Sequence, residues 1–530
     1  VGGGKVMKVY SVEGVPGTGK TTLCSKVFAH YAKKGSACYE TFRRNMADDF
    51  IHRVSDNFDE EEFARVFRWV STTHGICYRL LLSELDLEVA TWKDFKRFCK
   101  VKGIQVDTQE LKRLRPDSED PLTHITELET LGGKIYTIYQ NCVNMNIDYY
   151  EWDKLPPRMK PFIPPNWHEK VAQIIHEWED YLERKHLVDF PQMLKKAYEM
   201  KLAPYTEVYI ADEFQDKTPI QFELFKIWSK ASDVVLVAFD KNQAIYSFWG
   251  TSPQFCDLVR KKSKFKILTP SYRLSRNVYK TACKLLQISG QEVFNVECVG
   301  DTILKFVDLT YIPLIINSHR NVMIIARTNY ILYQIAKMLM HEGIPFTGRY
   351  GWGSEQLQLY KFVWKYKNKK PVSKGELITF LKKAEYLQPS INFLLKTLKS
   401  ELTYDEVNSI LDHGLKLILS KENPFEHLDL TEKGKWKLYR ALRNSTPPRD
   451  DIFLTTIHGA KGLEADTIIV VDGITPKIAE SITIDREDWK NEHRVWYVAL
   501  TRARKYCYVV TNANFKSVQP FVSGLKLRGE

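Results

Sequence analysis

The sequence predicts an α/β fold of parallel sheets covered by helices and interrupted by two mainly helical insertions. Apolar, β-branched runs recur at 6–10, 208–211, 234–238, 322–326 and 467–471, with helical patterns between them. That alternation is what a sheet of parallel strands with crossover helices requires. The first run leads into Gly14-Val15-Pro16-Gly17-Thr18-Gly19-Lys20-Thr21, followed by the helix-compatible Thr22-Leu23-Cys24-Ser25-Lys26-Val27-Phe28. At 530 residues the chain also exceeds one ordinary domain, since domains run to roughly 100–200 residues.

The Gly-rich loop meets the demands of phosphate binding. Its glycines let backbone N–H groups turn inward, the Lys20 ammonium reaches the β and γ oxygens, and the Thr21 hydroxyl is placed for Mg²⁺. Gly14, Gly17, Thr18, Gly19, Lys20, Thr21 and Thr22 are therefore the expected contacts of a nucleoside triphosphate. Next comes a long stretch whose best helix puts Val171, Ile174, Ile175, Trp178 and Leu182 on one stripe, and it reads as a helical insertion. Pro156, Pro157, Pro161, Pro164 and Pro165 precede it and interrupt regular structure, as a rigid connector would.

The second apolar run ends in two acids, Asp212 and Glu213. A sheet delivers carboxylates to bound Mg²⁺–nucleotide in this form, so Asp212 is expected in the metal's shell and Glu213 is expected to orient or deprotonate the attacking water. The second insertion, 357–448, opens by interleaving Tyr360, Phe362, Trp364 and Tyr366 with Lys361, Lys365, Lys367, Lys369 and Lys370. Rings that stack on bases beside ammonium groups that meet phosphates are one reading; a solvated amphipathic helix is the other.

Composition narrows the partners. Lys and Arg number 77 against 65 Asp and Glu, a formal charge of +12, which favours a polyanion. The nine cysteines never form a CxxC pair, which argues against zinc or iron–sulfur ligation and for a reduced, intracellular setting, cytoplasmic or nucleoid-associated, or nuclear in a eukaryote. No apolar stretch reaches about 18 residues, and no charged leader opens the chain. Neither a membrane nor secretion is expected, and no nuclease metal cluster is evident.

From here the motifs resemble those of the superfamily 1A DNA helicases of the UvrD/Rep type. Asp212-Glu213-Phe214-Gln215-Asp216 is similar to their second motif and the segment from Val237 to Gly250 to their third. Leu268-Thr269-Pro270-Ser271-Tyr272-Arg273 is similar to the fourth, Thr456-Ile457-His458-Gly459-Ala460-Lys461-Gly462-Leu463-Glu464 to the fifth, and the segment from Glu492 to Ala503 to the sixth. Thr41-Phe42-Arg43-Arg44-Asn45 and Val70-Ser71-Thr72-Thr73-His74-Gly75 resemble the two DNA-side motifs.

The resemblance implies two RecA-like P-loop NTPase domains: 1–75 with 189–267, carrying the insertion 76–188, and 268–356 with 449–515, carrying the insertion 357–448, ahead of a tail at 516–530. It implies ATP and Mg²⁺ as cofactors. Lys20, Asp212, Glu213, Gln243, Arg273 and Arg502 are then the catalytic set: Gln243 senses the γ-phosphate, and Arg273 and Arg502 reach it from the second core domain. Tyr272 stacks on adenine and Glu464 contacts the sugar. Thr41, Thr72, His74, Phe248, Thr456 and His458 line the single-strand track. The implied partners are single-stranded DNA and single-strand/duplex junctions, with an accessory protein left open. The implied activity is ATP-driven 3′-to-5′ translocation and DNA unwinding, in repair or replication.

Several positions depart from the family pattern. Phe239 and Asn242 stand where a glycine and an aspartate are usual, Trp249 replaces an arginine, and Phe248 replaces a larger stacking ring. Asn242 hydrogen-bonds but carries no charge. The short segment before Gly14 has no recognisable adenine-reading glutamine motif, so phosphate binding is specified more fully than base selection. An RNA helicase and a nucleotide-switched nucleic-acid-binding protein without unwinding stay open as alternatives.

Overall fold

Two six-stranded sheets organise the chain, one in each of two compact units. The computed structural model describes residues 8–33, 35–113, 128–384, 394, 396–511, 515 and 518–526. The first two residues of the run expected at 6–10, and positions 516, 517 and 527–530 of the tail expected at 516–530, lie outside them. The first unit comprises Val1–Ile303, Lys461–Leu463 and Lys477–Arg502, and the second Leu304–Ala460, Glu464–Pro476 and Ala503–Glu530.

The first sheet is built from β1 (Lys8–Glu13), β2 (Ala37–Thr41), β3 (Val70–Thr72), β4 (Thr206–Ala211), β5 (Ser232–Phe239) and β6 (Lys264–Ile267). Their order is β3-β2-β4-β5-β1-β6, and every pairing is parallel. Helix α1 (Lys20–Ala32) follows β1 directly and buries Cys24, Phe28 and Ala32. On that face Phe28 meets Phe50 edge-on at 5.3 Å and Tyr39 stacks on Phe50 at 3.5 Å. Helix α2 (Thr73–Glu84) leaves β3 at a Thr72 cap. The sheet's other face continues into the core of the first insertion, where helix α3 (His168–Arg184) buries Val171, Ala172, Ile175, Trp178 and Leu182. Ile174 is only half-buried, a shift of one place in the expected stripe. The proline-rich connector forms short 3₁₀ turns at Tyr149–Lys154, Pro157–Met159 and Pro165–Trp167.

The second sheet contains β7 (Ile303–Asp308), β8 (Val322–Ala326), β9 (Thr347–Gly348), β10 (Ile452–Thr456), β11 (Ala465–Val471) and β12 (Ala503–Thr511), in the order β9-β10-β8-β11-β12-β7. β9 to β12 pair parallel along that order. This is the tandem RecA-like α/β arrangement with helical insertions that the motifs imply.

The insertion in the second unit corrects one expectation. Helix α4 (Ser354–Lys367) turns the rings of Tyr360 and Phe362 inward, each fully buried in the insertion's own core. Phe362 stacks on Phe380 at 4.5 Å, so no face of it is open to a base. Three of the interleaved lysines are engaged within the protein: Lys361 with Asp450 at 2.6 Å, Lys365 with Glu376 at 2.9 Å, and Lys367 with the Lys421 carbonyl at 2.8 Å. At 3.6 residues per turn, an alternation of ring and lysine puts some rings inside whatever their neighbours are.

Candidate functional site

Gly17 and Gly19 fix the shape of the phosphate loop. Both have positive φ, 81° and 83°. A Cβ on Gly17 would lie 2.5 Å from the Arg273 Cβ, whereas one on Gly19 would meet nothing within 4 Å. The loop is therefore pressed from one side by the Tyr272–Arg273 backbone and open at the start of α1. The Tyr272 N–H donates to the Gly17 carbonyl at 3.0 Å and the Ser271 hydroxyl to the Pro16 carbonyl at 2.7 Å, which holds that backbone in place. α1 has no acid in its first turn and no side-chain cap at Gly19. An uncapped helix start with inward N–H groups favours an anion. The Lys20 ammonium, 8% exposed, donates to the Gly14 carbonyl within this cradle. An open glycine face, an uncapped helix and a nearly buried lysine fit a triphosphate.

Asp212 follows β4 and is held from several directions. Its Oδ2 accepts from the Tyr39 hydroxyl at 2.9 Å and the Thr21 hydroxyl at 3.3 Å, and its Oδ1 accepts from the Glu213 N–H at 2.9 Å. Burial, and then the Glu213 charge, push its carboxyl above the usual range; the Tyr39 hydrogen bond and Lys20 act against them. A divalent cation would reverse that penalty, so the oxygen-donor pair Asp212 and Thr21 fits Mg²⁺. Glu213 sits at φ 53°, ψ 40°, a left-handed conformation that costs a non-glycine residue about 1–3 kcal/mol.

A run of hydrogen bonds leads from Glu213 to Arg502. Gln215 Nε2 donates to Glu213 Oε2 at 2.5 Å, and Gln215 Oε1 accepts from the Asp240 N–H at 3.1 Å. Gln243 Nε2 donates to Asp240 Oδ2 at 2.8 Å, and Arg502 Nη2 donates to Gln243 Oε1 at 2.8 Å. Tyr497 adds a hydroxyl to the same Asp240 oxygen at 3.1 Å. Asn242, where the family usually has an acid, instead donates to the Glu292 carbonyl at 3.0 Å.

The fifth motif's Lys461 pairs with Asp216, both almost fully buried, and donates to the Gln243 carbonyl at 2.5 Å. Arg43 Nη2 donates to the Tyr246 hydroxyl at 2.6 Å, and Phe42 stacks on Tyr246 at 4.7 Å, so the first DNA-side motif touches the third motif directly.

The UvrD/REP helicase N-terminal domain matches residues 5–264, and the UvrD-like helicase C-terminal domain matches residues 420–514. The chain belongs to the UvrD/Rep-type superfamily 1A helicases. As a member it is an ATP-dependent helicase, and dependence on ATP and Mg²⁺ goes with that family. Similar curated proteins include a probable DNA helicase II homolog of Mycoplasma pneumoniae, 22% identical over 93% of this chain and 81% of that protein. The ATP-dependent DNA helicase Rep of Buchnera aphidicola is 21% identical over 88% of this chain and 87% of its own. The ATP-dependent DNA helicase PcrA of Staphylococcus epidermidis is 21% identical over 94% and 80%. Among the described residues no helix is long and apolar enough to cross a membrane.

In this UvrD/Rep-type chain the expected site residues divide between the units. Lys20, Thr21, Asp212, Glu213, Gln243, Tyr272, Arg273 and Arg502 all lie in the first, as do Thr41, Thr72, His74 and Phe248. Thr456, His458 and Glu464 lie in the second, where Glu464 accepts from Arg504 at 3.1 Å. Tyr272 is 72% exposed. The Thr72 hydroxyl accepts from the Gly75 N–H at 3.2 Å and the Thr456 hydroxyl from the Gly459 N–H at 3.0 Å, so each also orders its own turn. Phe248 is 1% exposed, packed against Tyr246 and Trp249. Phe190, 38% exposed, lies 5.5 Å from His74. Burial, and then the Lys217 charge, lower His74 to about 4, leaving a neutral imidazole at physiological pH.

Tyr39, Gln215, Tyr497 and the buried pair Glu40–Lys217 have roles that no sequence pattern assigns, although Gln215 stands inside the second motif and Tyr497 inside the sixth. Tyr39 and Glu40 lie on a strand whose short run gave no periodic signal.

Proposed function

We propose that this chain is a single-stranded DNA translocase that moves 3′ to 5′ and separates strands at single-strand/duplex junctions. We read 1–75 with 189–267, and 268–356 with 449–515, as its two motor halves. The observation that carries the reading is the hydrogen-bonded run from Glu213 through Gln215, Asp240 and Gln243 to Arg502, because a motor must tie the water-activating acid to the residues that sense the terminal phosphate. Bound Mg²⁺–ATP supplies the phosphoanhydride whose hydrolysis drives each cycle.

The chain's own residues do the rest. Gly14, Gly17, Thr18, Gly19, Lys20, Thr21 and Thr22 hold the phosphates, and Thr21 and Asp212 hold the cation. Glu213 orients the attacking water and takes its proton on a carboxylate oxygen. Arg273 and Arg502 donate to the terminal phosphate, where bidentate guanidinium bonds match the spreading charge. Gln243, bonded to Arg502, moves with that contact. Tyr272 offers an exposed ring to adenine, and Glu464 accepts from the sugar. Thr41, Thr72, His74, Thr456 and His458 grip the strand through phosphate and sugar, with little sequence preference, and the buried Phe248 backs that surface through Tyr246 and Trp249. The direction of travel rests on family likeness.

The test pairs hydrolysis with motion. Phosphate release is measured without nucleic acid, with single-stranded DNA and with single-stranded RNA. Strand separation and streptavidin displacement are then recorded on duplexes with a 3′ or a 5′ tail. DNA-stimulated turnover with output from the 3′-tailed substrate is expected. A 5′ preference overturns the direction, stronger stimulation by RNA overturns the substrate, and turnover without displacement overturns the motor.

A further inference from the structure

The last three residues of β2 each reach a different part of the molecule. Tyr39 donates its hydroxyl to Asp212 Oδ2 at 2.9 Å. The Glu40 carbonyl accepts from the Asp212 N–H at 2.9 Å, and Thr41 is one of the expected strand contacts. Alternation along a strand sends Tyr39 and Thr41 to one face and Glu40 to the other. The Glu40 carboxylate, 1% exposed, there receives the Lys217 ammonium and the hydroxyls of Thr73 and Tyr209. Lys217 Nζ also donates to the Thr73 hydroxyl at 3.2 Å.

The four members come from four places. Glu40 is on β2, Thr73 opens α2, Tyr209 is on β4, and Lys217 follows the Asp212–Asp216 motif. Thr73 stands between Thr72 and His74, two further expected strand contacts, and Lys217 is the charge that acts on the His74 ring. An isolated charge this deeply buried is strongly disfavoured, so each of Glu40 and Lys217 is held where the other is. The pair therefore fixes the backbone that carries Asp212 to the backbone that carries Thr41, Thr72 and His74. Neither side chain is among the expected phosphate-loop or strand contacts.

We propose that Glu40 and Lys217 are positioning residues that make hydrolysis respond to the bound strand. The inference rests on the reading of the chain as a DNA-stimulated ATPase. With the pair intact, a displacement of the Thr72–His74 turn by a gripped strand is carried through Thr73 and Glu40 to the Asp212 N–H and carboxylate. With both charges removed, the Asp212 N–H still bonds the Glu40 carbonyl, but the charged link from Thr73 and Lys217 to Glu40 is lost and the Thr72–His74 turn is tied to that strand more weakly.

The test uses the full chain with Lys217→Met, Lys217→Arg, Thr73→Val and the double variant Glu40→Gln/Lys217→Met. Steady-state turnover is measured against ATP and against an oligothymidylate, and affinity for a labelled oligothymidylate is measured by anisotropy. Lys217→Met alone strands a buried carboxylate and is the variant most exposed to misfolding; the double variant removes both charges together.

In the double variant, basal turnover, KM for ATP and oligothymidylate affinity should stay within about twofold, while stimulation at saturating strand falls by about tenfold or more. Lys217→Arg keeps the charge and should restore most of the stimulation, and Thr73→Val should lose a smaller part of it. Undiminished stimulation in the double variant overturns the proposal. So does a loss that excess oligothymidylate repairs, which would make the pair a binding element, or an equal fall in basal and stimulated rates, which would make it merely structural. A wild-type chain without DNA stimulation is a different failure: it removes the translocase reading, and this proposal with it, before any variant is made.

Discussion

The two sheets share strand number and largely parallel pairing, yet the C-terminal ends of their strands are used differently. In the first, Glu13, Glu40, Asp212 and Asp240 put buried carboxyls at or beside the ends of β1, β2, β4 and β5. In the second, Asp472 after β11 is buried too, but it accepts from the N–H groups of Phe521, Val522 and Ser523 at 2.9, 2.9 and 2.8 Å and from the Ser523 hydroxyl at 2.6 Å. The Asp472 charge is spent on ordering its own chain. In the first sheet Glu40 is likewise held by partners, but Asp212 sits beside the phosphate loop, accepting from the Thr21 hydroxyl, and burial raises Glu13, Asp212 and Asp240 above their ordinary range. Parallel topology supplies a rim where ligands bind; the pairing of each carboxyl decides whether that rim does chemistry or holds structure.

Glu213→Gln is the strongest way to sharpen this contrast. Turnover should fall by about 10²–10³ while nucleotide affinity is largely kept, because a neutral amide cannot take the water's proton. Lys20→Ala should lose affinity and turnover together, since it removes charge from the phosphate cradle. Equilibrium nucleotide binding measured beside steady-state phosphate release separates the two. Near-normal turnover in Glu213→Gln would return the first rim to the structural kind.

Next in size is Asp472→Ala, which leaves three backbone N–H groups without their acceptor. Stability of the second unit should drop by about 2–4 kcal/mol with nucleotide affinity unchanged. Denaturant unfolding followed alongside nucleotide titration checks it, and a matching loss of affinity would break the comparison.

A third contrast concerns Glu13. Burial first, and then the Asp240 charge, raise it from 4.5 to about 8, against the lowering pull of Lys241 and Arg260. Because the folded state holds this proton where the unfolded chain releases it, the residue's contribution to stability is present below pH 4.5, declines as pH rises toward about 8, and is flat above. Glu13→Gln mimics the protonated acid, so its thermal midpoint should match the parent's near pH 5 and exceed it near pH 9. Parallel melting curves across that range would contradict the assignment.

Much of the first rim was legible beforehand because it depends on local chemistry. A glycine loop between strand and helix, and two acids at a strand end, are short-range patterns, and their spacing named Lys20, Thr21, Asp212 and Glu213. The helix at 168–184 was legible for the same reason, from an apolar stripe at helical period. The segment at 360–366 was not. Its rings and lysines alternate, but the side of α4 that faces the insertion's core is set by residues far along the chain, including Phe380, and it drew Tyr360 and Phe362 inside.

By itself, then, the sequence determined the α/β class, the phosphate loop, the order of the motifs and the charge balance, since each is written in neighbouring residues or in composition. Only the tertiary structure decided that Tyr39 bonds Asp212 across 173 positions of chain, that Arg502 bonds Gln243 across 259, and that Glu40 and Lys217 bury a charge pair across 177. A buried polar group must find its partner wherever packing brings one, and no local pattern records which distant strand end that will be.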